Sequence, residues 1–161
     1  MTIEICGRDA AIERAAALRE RTSIISITST DEADVAFPPN VRVAEILRLK
    51  FNDLTEAFDE EGIPYGRPLP EPSDFDGLRA FVDALEGERL VVHCWEGVSR
   101  SAAVAAAVHA YRGGADRLVT HARFAPNPRV YAMACRALGM APDRPEYAVV
   151  MDGDAWRLDR G

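Results

Sequence analysis

A chain of 161 residues, 48 % of them apolar, is long enough for one hydrophobic core, so a single domain over 1–161 is expected. Its formal charge of −7 disfavours nucleic acid and anionic membrane surfaces as partners, since both attract basic proteins. Three scattered cysteines (Cys6, Cys94, Cys135) and three scattered histidines (His93, His109, His121) form neither a disulfide framework nor a metal-ligand spacing, so no metal or cofactor is expected.

In chain order, Ile3–Glu4–Ile5–Cys6 alternates as a short strand does, and the alanine-rich stretch 9–20 predicts a helix. The opening carries Glu4, Arg8 and Asp9 and lacks the apolar segment of a signal peptide, which predicts a soluble cytoplasmic protein. The β-branched run 23–28 predicts a second strand, and 41–51, with Ile46, Leu49 and Phe51 alternating, a third. The stretch 52–72 is rich in Pro, Gly and acids and has no period; a loop of that length in a compact domain is usually functional. Ser73 with Asp76 opens a helix that puts Phe75, Leu78, Phe81, Val82 and Leu85 on one face. Leu90 to His93 is a short buried strand. The helix that follows Arg100 stops at Gly113–Gly114 and is too short to span a bilayer. A further helix is expected over 115–123, then one capped by Asn127, with Pro128 in its first turn, ending near Gly139. The tail, about 141–161, either packs back or frays. The expected class is α/β, with a central, mostly parallel sheet flanked by helices.

The junction HCWEGVSRS, residues 93–101, runs strand, tight loop, helix. Ligands bind outside the carboxyl ends of strands in open α/β sheets. Backbone N–H groups of Trp95, Glu96, Gly97, Val98, Ser99 and Arg100 can curl inward toward the point where the next helix aims its N-terminus, which makes a site for a dianionic phosphate. Gly97 supplies the backbone freedom that such a curl needs. A free thiol has a pKa near 8.5. Bringing a cysteine there to about 5.5 takes roughly 4 kcal/mol of preferential thiolate stabilisation. A helix dipole supplies at most about 2 kcal/mol, so the N–H groups and the Ser101 hydroxyl must supply the rest. Arg100, six positions on, can hold two phosphate oxygens with its planar fork. A lone cysteine after an apolar strand is ordinarily a small buried hydrophobe. It is the concurrence of Cys, Gly, Ser, Arg and Ser at one junction that points to chemistry.

That junction resembles the signature of the cysteine-dependent protein tyrosine phosphatases: His-Cys, five residues, Arg, then Ser or Thr. The Ser-Arg-Ser ending and the small size are similar to the dual-specificity branch, and the resemblance runs over a core of about 42–139. LRLKFND resembles that branch's strand ending in an acid, and Ala125–Pro126–Asn127 its Pro-Asn turn. The resemblance implies a protein tyrosine phosphatase-like fold and hydrolysis of phosphomonoesters, on a phosphorylated protein or a small ester, through a phosphocysteine on Cys94. It further implies that His93 holds the loop and that Ser101 eases departure of the thiolate. The chain departs from the branch at Glu96, where alanine is common, and this bears on substrate choice.

The leaving oxygen needs a proton from a carboxyl group. Asp53 follows the presumed strand and matches the family acid, although it lies 41 residues before Cys94, a longer interval than usual for the branch. An enlarged loop through Gly62, Pro64, Gly66 and Pro68 accounts for the excess. Asp59 is its nearest rival, while Asp74 and Asp76 are expected to cap a helix. Two other readings remain open: a phosphate-binding module with little turnover, and a sulfur-transfer enzyme. The arginine and serine after Cys94 favour phosphate over persulfide.

Overall fold

Residues 1–87, 89–113, 118–120, 125–141, 147–152 and 155–160 are described by a computed structural model. The first strand, β1 (Ile3–Gly7), runs directly into helix α1 (Arg8–Ala17), and β2 (Thr22–Thr28) and β3 (Val43–Lys50) follow. A 3-10 turn (Pro72–Phe75) and the short helix α2 (Leu78–Asp83) lead to β4 (Arg89–Cys94) and helix α3 (Arg100–Tyr111). Strand β5 (Leu118–Thr120), helix α4 (Pro128–Ala137) and the strands β6 (Tyr147–Asp152) and β7 (Ala155–Arg160) complete the order. One sheet in the order β3-β2-β4-β1-β5-β7-β6 joins all of these strands. The first five in that order are parallel, and the last two attach antiparallel, so the chain is α/β with a mostly parallel sheet.

Strand β4 lies between β1 and β2, hydrogen-bonded to both, with Gly7 opposite Cys94 and Ser26 opposite His93. Period-two alternation divides its side chains between two layers. Leu90, Val92 and Cys94 face the larger core with Ile3, Ile5, Ile25 and Ile27, under α3 and α4. Val91 faces the smaller one with Cys6 and Ile24, under Ala11 and Ala15 of α1. A strand apolar on both faces is what burial between helix layers demands. Helix α3 is buried from Arg100 through His109, which explains its small side chains: alanine lets a helix lie close on a sheet. On the α1 side Glu4 is buried and forms ion pairs with Arg14 and with Arg89 (3.7 Å).

Several boundaries differ from expectation. Helix α1 ends at Ala17 rather than at 20, because Leu18 adopts an extended backbone and the Asn40 amide closes the helix by donating to the Ala15 carbonyl (2.9 Å). That cap comes from 25 residues away and has no local signal. The helix expected from Ser73 is two pieces, broken where Gly77 takes φ +84. Its cap is also displaced: Glu71 and Asp74 form the reciprocal capping box, so Asp74 does cap, though not with Ser73 as the start. The helix expected over 115–123 is corrected. Leu118–Thr120 is a strand paired parallel to β1, because its β-branched Val119 and Thr120 suit a strand and the edge of β1 offers the pairing; 115–117 and 121–123 lie outside the described residues. The described part of the tail packs back on the sheet: β7 pairs antiparallel with β5, and β6 with β7.

Phe51 ties the core to the start of α3: its ring stacks on Phe75 (4.7 Å), and its carbonyl accepts from Arg100 (3.1 Å). Phe51→Ala is expected to cost about 3–5 kcal/mol of stability, the range for an emptied aromatic site, read by urea unfolding.

Candidate active site

The apolar strand β4 drives to the sheet's carboxyl edge and delivers Cys94 there, 3 % exposed. The chain then turns over residues 95–99 and re-enters the core as α3. Gly97 is the pivot. Its φ is +78, and a Cβ on it would lie 2.3 Å from the Cys6 carbonyl carbon and 2.4 Å from the Gly7 nitrogen. The loop is therefore laid directly across the end of β1, and only glycine allows it. Arg8 N donates to the Trp95 carbonyl (3.0 Å) and Ala125 N to that of Val98 (2.9 Å), so neighbouring elements hold both arms of the loop.

Around the sulfur, Gly97 N donates to Cys94 Sγ (3.3 Å) and the Ser101 hydroxyl lies 3.2 Å from it. Arg100 is 5 % exposed. Its Nη1 donates to Ser29 Oγ (2.9 Å) and to the Phe51 carbonyl (3.1 Å), while its buried Nε has no protein partner. A buried guanidinium donor left without a protein partner is completed by water or by an anion, and beside Cys94 an anion would also meet the N–H of Gly97. The structure thus gathers Cys94, Arg100 and Ser101 at one point, with Trp95 and Glu96 exposed at the rim and Val98 and Ser99 half-buried.

Asp53 reaches the same loop from the end of β3. Its Oδ1 accepts from Ser99 Oγ and from Asn127 Nδ2, both at 2.8 Å, and neither bond lands on Oδ2. Asn127 is itself oriented, because its Oδ1 accepts from Arg129 N and Val130 N as the cap of α4. Asp59 is occupied elsewhere: its Oδ1 accepts from Glu61 N (3.1 Å) and Ile63 N (2.7 Å) and shapes a turn.

His93 is fully buried, with Nδ1 3.3 Å from the Cys94 carbonyl and Nε2 2.8 Å from Ser26 Oγ. A carbonyl can only accept, so Nδ1 carries the proton and the neutral ring accepts from Ser26 at Nε2. Burial, partly offset by the Cys94 carbonyl, lowers the His93 pKa to about 4, and the imidazole is a neutral strut at neutral pH. Phe37 meets its ring edge-on at 5.6 Å. Burial pushes the Cys6 thiol up to about 12. Cys6 also faces the smaller core, across the sheet from Cys94.

A cavity of about 420 Å³ adjoins Cys94 and Trp95, walled by Ile12 and Val35 and edged by Asp9 and Glu32. Arg8 stacks over the Trp95 ring at 3.9 Å. Among the described residues no group of histidine, cysteine and carboxylate side chains is arranged to hold a metal ion, and no helix is long and apolar enough to cross a membrane. Sequence reasoning did not reach Ser29, the Arg100 partner, or Ser26, the His93 partner, because both sit in an unremarkable apolar strand and its exit. Gly7, the last residue of β1, is the one local hint that another backbone comes close: a Cβ there would lie 3.1 Å from the Glu96 carbonyl oxygen. Comparison with protein-family models finds no match, and comparison with curated proteins finds none.

Two outcomes follow from this geometry. Gly97→Ala should cost about 1–3 kcal/mol through strain and abolish tungstate binding measured by calorimetry, since the loop must lift from β1. The pH dependence comes from His93. The unfolded chain takes up its proton below about 6.5, the folded chain only near 4. Stability from this residue is complete above pH 6.5 and is lost as pH falls toward 4, by up to about 3 kcal/mol. Urea unfolding of wild type and His93→Asn at pH 7 and 4.5 should show a flatter pH dependence in the variant.

Proposed function

We propose that the chain is a cysteine-dependent phosphatase of the dual-specificity-like protein tyrosine phosphatase kind, acting on phosphomonoesters with phosphotyrosine as the default substrate. The observation that carries this reading is the buried Arg100, whose Nε lacks a protein partner beside a cysteine sulfur that accepts a backbone N–H. A tetrahedral dianion fits both needs: the amides and guanidinium bind its oxygens and the sulfur faces its phosphorus. The sheet order, with the cradle strand flanked by parallel neighbours and the acid-bearing strand one place further out, is compatible with that family's fold.

In this mechanism the Cys94 thiolate attacks phosphorus, and the bond from phosphorus to the leaving oxygen breaks as Asp53 donates the proton held on Oδ2. Water then attacks the phosphocysteine, Asp53 takes a proton from it, and the S–P bond breaks to release inorganic phosphate. The Ser101 hydroxyl, 3.2 Å from Sγ, stabilises the departing thiolate. Asp53 held against the loop by Ser99 and Asn127 favours a turning-over enzyme above a binding module, which needs no oriented acid.

Cys94→Ser is expected to abolish hydrolysis of p-nitrophenyl phosphate while keeping tungstate binding; residual turnover by clean protein would name another nucleophile. Arg100→Lys should lose more than about 100-fold in rate, the scale of one lost transition-state donor. Asp53→Asn should slow phosphotyrosine hydrolysis roughly 100- to 10,000-fold but an ester with an acidic phenol far less, because that leaving group departs almost without a proton. Asp59→Asn should show no such dependence on the leaving group.

A further inference from the structure

Between the acid and the next core segment the chain makes an excursion over 54–67 whose own structure is unusually complete. Its base is closed by Asn52, which donates to the Pro68 carbonyl (3.0 Å) and accepts from Thr30 N (3.3 Å). Above the base, Phe58 bridges Pro64 antiparallel, Tyr65 N donates to the Ala57 carbonyl (3.1 Å), and Asp59 N to that of Ile63 (2.9 Å). The Asp59 carboxylate closes the tip, and Arg67 ties the returning arm to Asp31 (2.9 Å). The excursion's turn is therefore closed by its own hydrogen bonds, and its base by Asn52.

This hairpin displays what a core would normally hide. Phe58 is 55 % exposed, Ile63 60 % and Tyr65 51 %. Glu56, Glu60 and Glu61 are exposed beside them, and the only base in the excursion, Arg67, is already paired. Apolar side chains held in water on an arm closed by its own hydrogen bonds offer an interaction surface, and a turn already closed lowers the ordering cost of using it. The charge decides the occupant. A second copy of a chain carrying −7 would bring acidic tips together, and an anionic bilayer would be repelled. A basic, apolar polypeptide segment satisfies both features.

Resting on the phosphatase reading, we infer that this hairpin is a docking arm for the protein substrate, selecting phosphorylated segments flanked by basic and apolar residues over acidic or multiply phosphorylated ones. Asp53 stands at the root of the arm, so a segment seated on it lies next to the acid. Glu96, exposed on the cradle itself, adds charge of the same sign.

The test uses fluorescence anisotropy on full-length Cys94→Ser with two phosphotyrosine peptides of equal length, one with Lys and Leu flanks and one with Glu and Leu flanks. p-Nitrophenyl phosphate turnover by the corresponding Cys94 proteins provides the reference. Wild-type arms should prefer the basic peptide, and the preference should shrink as salt rises. Phe58→Ser/Ile63→Ser/Tyr65→Ser should weaken the basic peptide about tenfold, the scale of losing a few apolar anchors, with small-ester turnover retained. Glu60→Lys/Glu61→Lys, at an exposed turn, should move the preference toward the acidic peptide. Equal binding of the two peptides by the unaltered arm, or unchanged binding in both arm variants, overturns the docking arm. Loss of small-ester turnover in the wild-type protein, with peptide discrimination intact, overturns the phosphatase reading and leaves the arm standing.

Discussion

The contact between Gly97 and the backbone of Cys6 and Gly7 governs the geometry of the whole site. With a Cβ position only 2.3 Å from the Cys6 carbonyl carbon, the loop after β4 cannot rest on β1 unless residue 97 is glycine. Because it does rest there, the loop is turned back sharply enough for α3 to start at Arg100 and for the Gly97 N–H to reach the Cys94 sulfur. The register that sets Gly7 opposite Cys94 belongs to the same constraint: β1 must end where β4 ends for its last residues to serve as a floor.

Two layers of polar contacts then orient the loop and the Arg100 side chain. On the α1 side, neutral His93 links the Cys94 carbonyl to Ser26 on β2, and burial keeps it neutral. On the other side, Ser29 and the Phe51 carbonyl turn the Arg100 guanidinium so that its Nε is left over. Both supports come from the carboxyl ends of β2 and β3, the natural meeting place of a parallel sheet's loops. Asp53 is the exposed member of this assembly, held by two donors on one oxygen, with an orientation borrowed from the cap of α4. The excursion beyond it stabilises itself through its own turn and base contacts, so its apolar residues remain in water instead of completing the core.

Local patterns determined much of this from the sequence alone. The apolar run ending in His93–Cys94, the glycine three residues later and the arginine before an alanine-rich helix placed strand, curl and helix correctly, because each depends on neighbouring residues: β-branched apolar packing, backbone freedom, and close helix packing. Asn127 with Pro128 marked the start of α4 for the same reason. Only the tertiary structure could decide which distant groups meet. That Asn40 ends α1, that Ser29 receives Arg100 and that Asn127 holds Asp53 depend on contacts across 25, 71 and 74 positions, for which a single sequence carries no local signal. Leu118–Thr120 makes the same point from the backbone: three residues with β-branched Val119 and Thr120 are too short to read as a strand by themselves, and the hydrogen-bonding edge of β1 makes them one.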